Sequence, residues 1–447
     1  MKSIRVNLKS LLFQGNLFWV AFTLGALNRL ALFLVSRRTT DDYIEPIQRW
    51  IETGNFPNAL DCLECFQPPL FFSIIKSLTS VFNLSTRVEL LITIQVVNLI
   101  IGISVLFVML LIIQKFKFNS LLGFSLMLFA SLNPELISVN VLGTNDNLGI
   151  LLGLGISYFL INLNARKTNI YVLCIFIILG VATKGNHLVF LGISSLFILA
   201  SIIKHNSYKS IKKIAPLFLL WFISLFAGGF VKKYNQYGDA FAIPREKQPL
   251  PSIFEKTSFN GRPGVESFAS AFGTFHFKSL IEEPFNHYES VDYPTHRTSM
   301  FTQFYGQFSN YFFERHPNSW TPANEFPNQI ARINYFVHLP LVLIFLFGLF
   351  LLIKESIISH SLESTKHLII LLSFVSFVIV FSSMYRDFTY MKLHYTFPAL
   401  YSLIYTFSKG LSTVRYKNIV SGILLVVSLL YIIDSYLLVE VLYNLNS

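Results

Sequence analysis

The first residues that could do chemistry are two adjacent carboxylates, Asp41 and Asp42, a few residues past the end of an apolar run. Acidic side chains beside a bilayer are costly to desolvate, and those that occur there usually serve a function. A carboxylate held at this place could act as a general base and take a proton from an acceptor hydroxyl or amine. Either Asp could instead cap a helix over residues 43–51. The sequence leaves both interpretations open.

A third carboxylate, Asp146, stands at the head of a later apolar run, directly after Gly143-Thr144-Asn145. It too could be a helix N-cap. Its functional interpretation is a carboxylate that faces the first pair and positions an acceptor or a neighbouring cation.

Four cationic or titratable side chains lie between apolar runs farther along the chain: Lys184, Arg386, Lys392 and His394. A phosphate group at the membrane surface needs cationic partners, and these residue types supply them. Each of the four taken alone could be an interfacial residue whose charged end reaches the water. Together they predict a site for a lipid-linked phosphate.

The cysteine spacing and the lack of a phosphate-loop motif in the sequence argue against zinc binding and nucleotide hydrolysis. Cys62 and Cys65 have a C-x-x-C spacing, but a single pair without a second set of ligands does not indicate zinc. An external disulfide and two unpaired thiols both remain open. The chain contains no G-x-x-x-x-G-K-[ST] phosphate loop, so the sequence does not support nucleotide hydrolysis.

The composition requires a membrane. Hydrophobic residues make up 53% of the 447 residues and charged residues only 13%, whereas soluble domains carry roughly 25% charged residues. The net charge of +11 could suggest nucleic acid, but the Lys and Arg residues lie mostly between apolar runs, where they set membrane topology. We therefore predict an integral membrane protein without a nucleic-acid partner.

The apolar runs are predicted as helices, because backbone exposed to lipid must satisfy its own hydrogen bonds. The first run is as long as a full span and no small-residue cleavage site follows it, so we expect a retained helix rather than a signal peptide. The runs cover roughly residues 17–36, 69–83, 91–113, 119–138, 147–163, 169–183, 187–203, 214–231, 336–353, 367–384, 395–408 and 418–440.

Segment 69–83 decides the topology when the N-terminus is placed in the cytoplasm. If this segment crosses the bilayer, the lysines of the short loops that follow fall outside. If it is re-entrant or interfacial, those lysines fall in the cytoplasm, as the positive-inside rule requires. The second option predicts about eleven spans and an external C-terminus. The external face then collects residues 37–68, 139–146, 184–186, 232–335 and 385–394.

The predicted fold class is therefore an all-α polytopic membrane protein, with interfacial helices and one large extracytoplasmic loop region. We expect three parts. Residues 1–231 form a transmembrane catalytic module with a first external loop at 37–68, residues 232–335 form an extracytoplasmic loop domain, and residues 336–447 form the C-terminal transmembrane helices.

The order of these motifs resembles the membrane glycosyltransferases of the GT-C fold, and within them the phospholipid carrier-dependent branch that includes protein O-mannosyltransferases and aminoarabinose transferases. The resemblance rests on an acidic pair after the first helix, a Pro-Pro-Leu-aromatic motif, a later acidic residue and a Thr-Lys-Gly. In this sequence these are Asp41-Asp42, Pro68-Pro69-Leu70-Phe71, Asp146 and Thr183-Lys184-Gly185. The likeness covers about residues 17–200 and, more loosely, the last third of the chain.

The resemblance implies a bundle of the GT-C type and a sugar donor carried on a polyprenyl or dolichyl phosphate, transferred with inversion. It implies that Asp41 is the catalytic base with Asp42 in support, and that Asp146 positions the acceptor or the base. Two positions depart from the family pattern, since Asp42 replaces a Glu and Gln67 stands where a His or Lys often precedes Pro-Pro.

The resemblance also implies that Lys184, with Arg386 and Lys392, holds the donor phosphate. His394 belongs to the same basic cluster. The expected partners are the lipid-phosphate-linked donor, membrane lipid and an acceptor that is a lipid, a glycan or a protein. No cofactor is certain, although two or three carboxylates could hold a divalent cation. The expected location is a cell inner membrane or, in a eukaryote, the endoplasmic reticulum.

Two other functions remain open. A transporter or flippase of lipid-linked sugars would share the apolar helices and the cations, but many transporters show inverted repeats and broken helices near the midplane, and the sequence shows no such symmetry. A non-catalytic membrane subunit would use Asp41, Asp42 and Asp146 only as helix caps.

Overall fold

A computed structural model describes residues 16–36, 42–162, 167–204, 215–244, 268–285, 299–310, 325–384 and 391–446. Within these ranges the regular elements are helices. In chain order they are α1 (Asn16–Val35), α2 (Ile44–Thr53), α3 (Leu70–Val81), α4 (Arg87–Gln114), α5 (Ser120–Ser131), α6 (Pro134–Val141), α7 (Asp146–Ile161), α8 (Lys167–Thr183), α9 (Leu188–Lys204), α10 (Ala215–Ala227), α11 (Phe230–Tyr237), α12 (Phe268–Gly273), α13 (Phe277–Glu282), α14 (Met300–Ser309), α15 (Glu325–Ile357), α16 (Leu362–Met384), α17 (Leu400–Thr413) and α18 (Lys417–Asn446). Two 3₁₀ turns, Gly185–His187 and Leu393–Ala399, precede α9 and α17.

Five of the described helices are long and apolar enough to cross a bilayer, which makes this an integral membrane protein. They cover Leu17–Val35, Arg87–Gln114, Phe326–Ile357, Leu362–Ser383 and Lys417–Glu440. The pair α5 and α6 would make a sixth span. Five further apolar helices, among them α3 with 12 residues, are shorter than the roughly 20 residues that a straight span needs. The total of about eleven spans stays a prediction.

The segment predicted as one helix over 119–138 is divided into α5 and α6, which meet at an angle of 50°. Pro134 occupies the first turn of α6, and a proline cannot continue a helix because it lacks the N–H and clashes with the preceding turn. The side-chain oxygen of Asn133 accepts a hydrogen bond from the Leu136 N–H at 3.1 Å and so caps the new helix. This break turns the start of α6 into the bundle.

Helix α4 fixes the relative position of the two carboxylate segments. Near its first turn, Arg87 pairs with Asp42 at 2.8 Å. Farther along, the Asn98 amide donates to the carbonyls of Leu142 at 2.6 Å and Thr144 at 2.8 Å. Asp42 and Thr144 therefore lie toward the same end of α4, but Thr144 lies about three turns, roughly 16 Å, deeper along its axis.

A buried polar network ties the surrounding helices together at this depth. Arg29 of α1 donates through Nε to Asn140 Oδ1 of α6 at 2.7 Å. Asn140 donates to Asn147 Oδ1 of α7 at 2.7 Å, and Asn147 donates to the Asn98 carbonyl of α4 at 2.6 Å. Polar groups in an apolar interior are costly unless they are hydrogen-bonded, so the network specifies one arrangement of these four helices.

Glycines allow the C-terminal helices to pack closely. A Cβ atom at Gly348 of α15 would lie 2.0 Å from the Thr406 carbonyl oxygen, and one at Gly410 of α17 would lie 2.1 Å from that of Ile344. Small residues at such contacts let the backbones of membrane helices approach each other. Helices α15 and α17 therefore form a tight pair behind the segment that carries His394.

Candidate functional site

The centre of the candidate site is an ion pair between Asp146, at the first position of α7, and Lys184, just after α8. Lys184 Nζ contacts Asp146 Oδ1, and the two side chains are only 11% and 10% exposed. The Thr144 hydroxyl donates to Asp146 Oδ2 at 2.7 Å. Both carboxylate oxygens therefore have a partner, and Asp146 is held as an anion beside a cation.

The segment before Asp146 is fixed by its neighbour, Asn145. The Asn145 amide donates to the Thr183 carbonyl at 3.2 Å, which joins the start of α7 to the end of α8, and to Gln67 Oε1 at 3.4 Å. Because these bonds use the residue before Asp146 and the residue before Lys184, they set the distance between the two charged residues. The Asn145 side chain does not cap α7.

A second acid–base pair lies beside the first. His394 Nδ1 is 2.6 Å from Glu135 Oε1, and the side chains are 11% and 15% exposed. The Tyr395 ring packs against both His394 and Lys184, so the two pairs are neighbours. We call Asp146, Lys184, Glu135 and His394 the acid–base quartet.

Glu135 is the residue that the sequence analysis missed. It lies in the first turn of α6, directly after Asn133-Pro134. The available signal was the Asn-Pro-Glu sequence inside an otherwise apolar run, because a proline there predicts a break and a polar residue after a break can face a site.

Two contacts bring the His394 segment to this place. Gly153 of α7 lies against Pro398, whose Cα would be 2.6 Å from a Cβ atom at residue 153. Gln307 of α14 accepts from the Leu393 N–H at 2.6 Å and donates to the Met391 carbonyl at 3.2 Å. The neighbouring Tyr395 ring is 4.7 Å from the His394 ring and 5.1 Å from Lys184 Nζ. The Tyr395 ring thus packs against both Lys184 and His394.

The other predicted site residues are placed differently. Asp42 accepts from Arg87, and its Oδ1 accepts from the Glu45 N–H at 3.3 Å. These contacts fit the capping alternative, and they lie at the N-terminal end of α4, about three turns from the residue that bonds Thr144. Lys392 is half-buried and precedes the 3₁₀ turn of His394. Asp41 and Arg386 lie outside the described residues.

The segment between α2 and α3 contacts the start of α7 next to Asp146. Cys62 and Cys65 form a disulfide, and Gln67 donates to Glu64 Oε2 at 3.1 Å while contacting Asn145. Lys233 of α11 donates to the Phe66 carbonyl at 2.6 Å. The loop is therefore fixed on one side by α11 and on the other by the start of α7.

The described carboxylates do not fit the divalent cation that the sequence allowed. Asp42 is paired with Arg87 and Asp146 with Lys184. Within the described ranges no group of three or more His, Cys, Asp or Glu side chains could hold a metal ion. We derive no step through a metal.

Among known proteins, no protein-family model and no curated protein matches the chain. Solved structures similar to it include the oligosaccharyltransferase of Archaeoglobus fulgidus with zinc and sulfate, at 13% identity and a TM-score of 0.47 over 95% of this chain and 53% of that one. The chain spans about half the length of that protein.

Two further solved structures are also similar to the chain. The archaeal oligosaccharyltransferase AglB from Archaeoglobus fulgidus, in complex with an inhibitory peptide and a dolichol-phosphate, has 12% identity and a TM-score of 0.48, with 95% and 55% of the chains covered. ArnT from Cupriavidus metallidurans in the apo state has 12% identity and a TM-score of 0.36, with 88% and 76% covered. Both are glycosyltransferases of the GT-C fold, the class that the sequence motifs resemble. Similarity at this level carries no information about a substrate, so the function must be argued from the site.

Proposed function

We propose that the protein is a membrane glycosyltransferase that moves a sugar from a polyprenyl- or dolichyl-phosphate carrier to an acceptor at the external face of the membrane. The observation that carries the proposal is the acid–base quartet, which gathers two carboxylates, a lysine and a histidine from four segments of the chain. Charged groups at such depth are costly to desolvate, and their usual justification is a functional site.

The cations of the quartet suit the leaving group of this reaction. When the bond between the sugar and the phosphate breaks, negative charge develops on the phosphate oxygens. Lys184 and a protonated His394, which both pack against the Tyr395 ring, could stabilise that charge, because preorganised charges and donors are most effective where charge develops. We further propose that Lys392 and Arg386 extend this phosphate site.

The carboxylates suit the acceptor. We propose that Asp41, in the first external segment, is the base that takes the acceptor proton, with Asp42 in support. Asp146 would position the acceptor or the base. In that role the Asp146 carboxylate would interact with Lys184 and with the incoming group at the same time. An inverting displacement at the anomeric carbon, and a hexosyl or pentosyl group as the unit transferred, are part of the same proposal.

The test uses the purified chain in liposomes with a polyprenyl-phosphate sugar and candidate lipid, glycan and peptide acceptors. We expect Asp41→Asn and Asp146→Asn to abolish transfer while the protein still accumulates in the membrane. Asp61→Asn is the matched control, because Asp61 is an exposed carboxylate of the same external segment that bonds only the nearby Asn58 N–H in the described contacts. Full activity in the Asp41 variant would remove the proposed base. Movement of the lipid across the bilayer without transfer would establish the flippase alternative.

A further inference from the structure

The Glu135–His394 contact defines which imidazole nitrogen can meet a ligand. With Nδ1 at 2.6 Å from the carboxylate, the Nδ1–H donates to Glu135. In a neutral ring Nε2 is then the unprotonated nitrogen, and in a charged ring it is a second donor. A carboxylate that holds one ring nitrogen in this way fixes the orientation of the other.

Both members of the Glu135–His394 pair are fixed by contacts of their own segments. Glu135 is in the first turn of α6, where the proline break and the Asn133 cap set its direction. The backbone on either side of Lys392 is clamped by Gln307 through Met391 and Leu393. The pair therefore has little freedom to separate, and a ligand must meet the imidazole where it lies.

Charged and titratable side chains lie near His394 in the described part of the chain. Glu135 of α6 contacts its Nδ1, the Tyr395 ring packs against its ring, and Lys184, which pairs with Asp146 of α7, lies 5.1 Å from the same tyrosine ring. Lys392 lies two residues before His394 in the sequence. An anionic phosphodiester cannot accept a hydrogen bond from an unprotonated Nε2, whereas a protonated Nε2 donates one.

We propose that the Glu135–His394 pair is the proton-linked part of the phosphate site, in which His394 takes up a proton at Nε2 when a lipid-linked phosphodiester binds between it and Lys184. Glu135 is the positioning residue of this pair, since it acts on the ligand only through the imidazole. The inference rests on the proposed function for the identity of the ligand. Histidine is suited to this role because it changes charge between roughly pH 5 and 8.

In the transfer step this proton has a defined course. Attack of the acceptor oxygen on the anomeric carbon forms one bond and breaks the bond from that carbon to the phosphate oxygen, whose electron pair stays with the phosphate. The acceptor proton goes to the base proposed on the first external segment. The proton on His394 is donated to, or shared with, the departing phosphate, and the neutral imidazole is ready for the next donor.

The experiment is titration calorimetry of the full chain in detergent with an isoprenyl methyl phosphate diester, a probe that keeps a single charge across the neutral range. The binding enthalpy is measured at pH 7 in two buffers with different ionisation enthalpies, which gives the number of protons taken up. We expect up to about one proton per bound diester for the wild-type chain. Dimethyl phosphate is the second arm, and weaker binding of that probe with the same proton uptake would assign the site to the lipid-linked form.

Two variants test the pair separately. His394→Asn should weaken binding about tenfold or more and abolish proton uptake. Glu135→Gln can still accept the Nδ1–H bond but lacks the negative charge, so it should retain most of the binding and lose most of the uptake. A purely structural Glu135 would change affinity without changing the proton count. Glu52→Gln, an exposed Glu of α2 that contacts Gln48, is the matched control and should behave as wild type.

Binding without proton exchange in the wild-type chain, or unchanged uptake in His394→Asn, would overturn the inference. Because the probe carries no sugar, the result is independent of transfer. Proton-linked binding in a chain that transfers no sugar to any acceptor would refute the proposed enzyme and leave the phosphate site standing. Normal sugar transfer without proton-linked binding would support the proposed enzyme and refute the proton-linked phosphate site.

Discussion

The two ends of the bundle handle buried and half-buried charge in different ways. At one end, the acid–base quartet pairs each cation with a carboxylate from a distant segment. At the other end lies what we call the lysine–tyrosine cluster, consisting of Lys115, Tyr158, Tyr401, Lys366 and His367. There Lys115 and Lys366 contact neutral groups, since Lys115 donates to the Tyr401 hydroxyl at 3.4 Å and lies 4.6 Å from the Tyr158 ring centre. A half-buried Lys409–Glu355 pair at 2.8 Å joins α17 to α15 at the same end.

The lysine–tyrosine cluster has a structural explanation. Lys366 donates to the carbonyls of Leu160 at 3.0 Å and Ile161 at 2.9 Å in the last turn of α7. The last carbonyls of a helix need such donors, and a cation there also interacts well with the helix dipole. The carboxylates of the quartet also lie in the first turns of α7 and α6, where an anion interacts well with the helix dipole. They differ in that they pair with a lysine and a histidine from other segments instead of backbone groups, which is why we assign the chemistry to the quartet.

The largest expected effect comes from breaking the Asp146–Lys184 pair. Lys184→Met leaves Asp146 buried without its cation, and we expect a loss of about 3 kcal/mol in unfolding free energy together with a loss of transfer of about 100-fold or more. The double variant Asp146→Leu with Lys184→Met should recover much of the stability and none of the activity. Thermal unfolding in detergent and liposome transfer assays give the two readouts. Recovery of activity in the double variant would reduce the quartet to a structural pair like those at the other end.

Removal of Lys366 tests the opposite end. Lys366→Met should lower the unfolding free energy by about 2 kcal/mol, because two carbonyls lose a charged donor. Transfer per folded molecule should stay at the wild-type level. If the folded fraction of this variant lost transfer, the distinction between a catalytic end and a structural end would fail.

Removal of the Cys62–Cys65 disulfide should lower the unfolding free energy by a smaller amount. It should also affect the quartet. Replacement of Cys62 and Cys65 by serine removes a cross-link that closes a very short loop, which the chain-entropy model values at about 2 kcal/mol or less. Since Gln67 joins this loop to Asn145, we expect the KM for the lipid donor to rise a few-fold, while a Cys174→Ser control leaves it unchanged. Steady-state kinetics before and after mild reduction of the wild-type chain should agree with the variant.

The smallest effect is a pH dependence at Lys233. Burial lowers the pKa of Lys233 to about 8, whereas a lysine in an unfolded chain titrates near 10.4. Between these values the unfolded chain holds a proton that the folded protein lacks, so this residue makes the folded state more stable as the pH rises from 8 to 10. Unfolding temperatures measured across that range should show the increment in the wild-type chain and in the exposed Lys232→Met control, and not in Lys233→Met.

Much of the architecture could be predicted because lipid imposes strict rules on sequence. Apolar runs of span length must be helices, and they are helices in the structure. The predicted continuous helix over 119–138 was wrong, because Pro134 breaks the helix although the surrounding residues are apolar. Among the site residues, Asp146, Lys184 and His394 were each singled out by type and position, whereas Glu135 was hidden within the broken run. The roles assigned to all of them remain predictions.

By itself, the sequence determined the membrane environment, the helical class and a short set of ionisable residues, because hydropathy and charge are properties of local segments. Only the tertiary structure decided the pairing. It placed Lys184 on Asp146 and Glu135 on His394, and it left Asp42 with Arg87 at the N-terminal end of α4. Residues 38 and 259 positions apart along the chain meet in these pairs, and such contacts depend on how helices bend and pack rather than on what any one segment prefers.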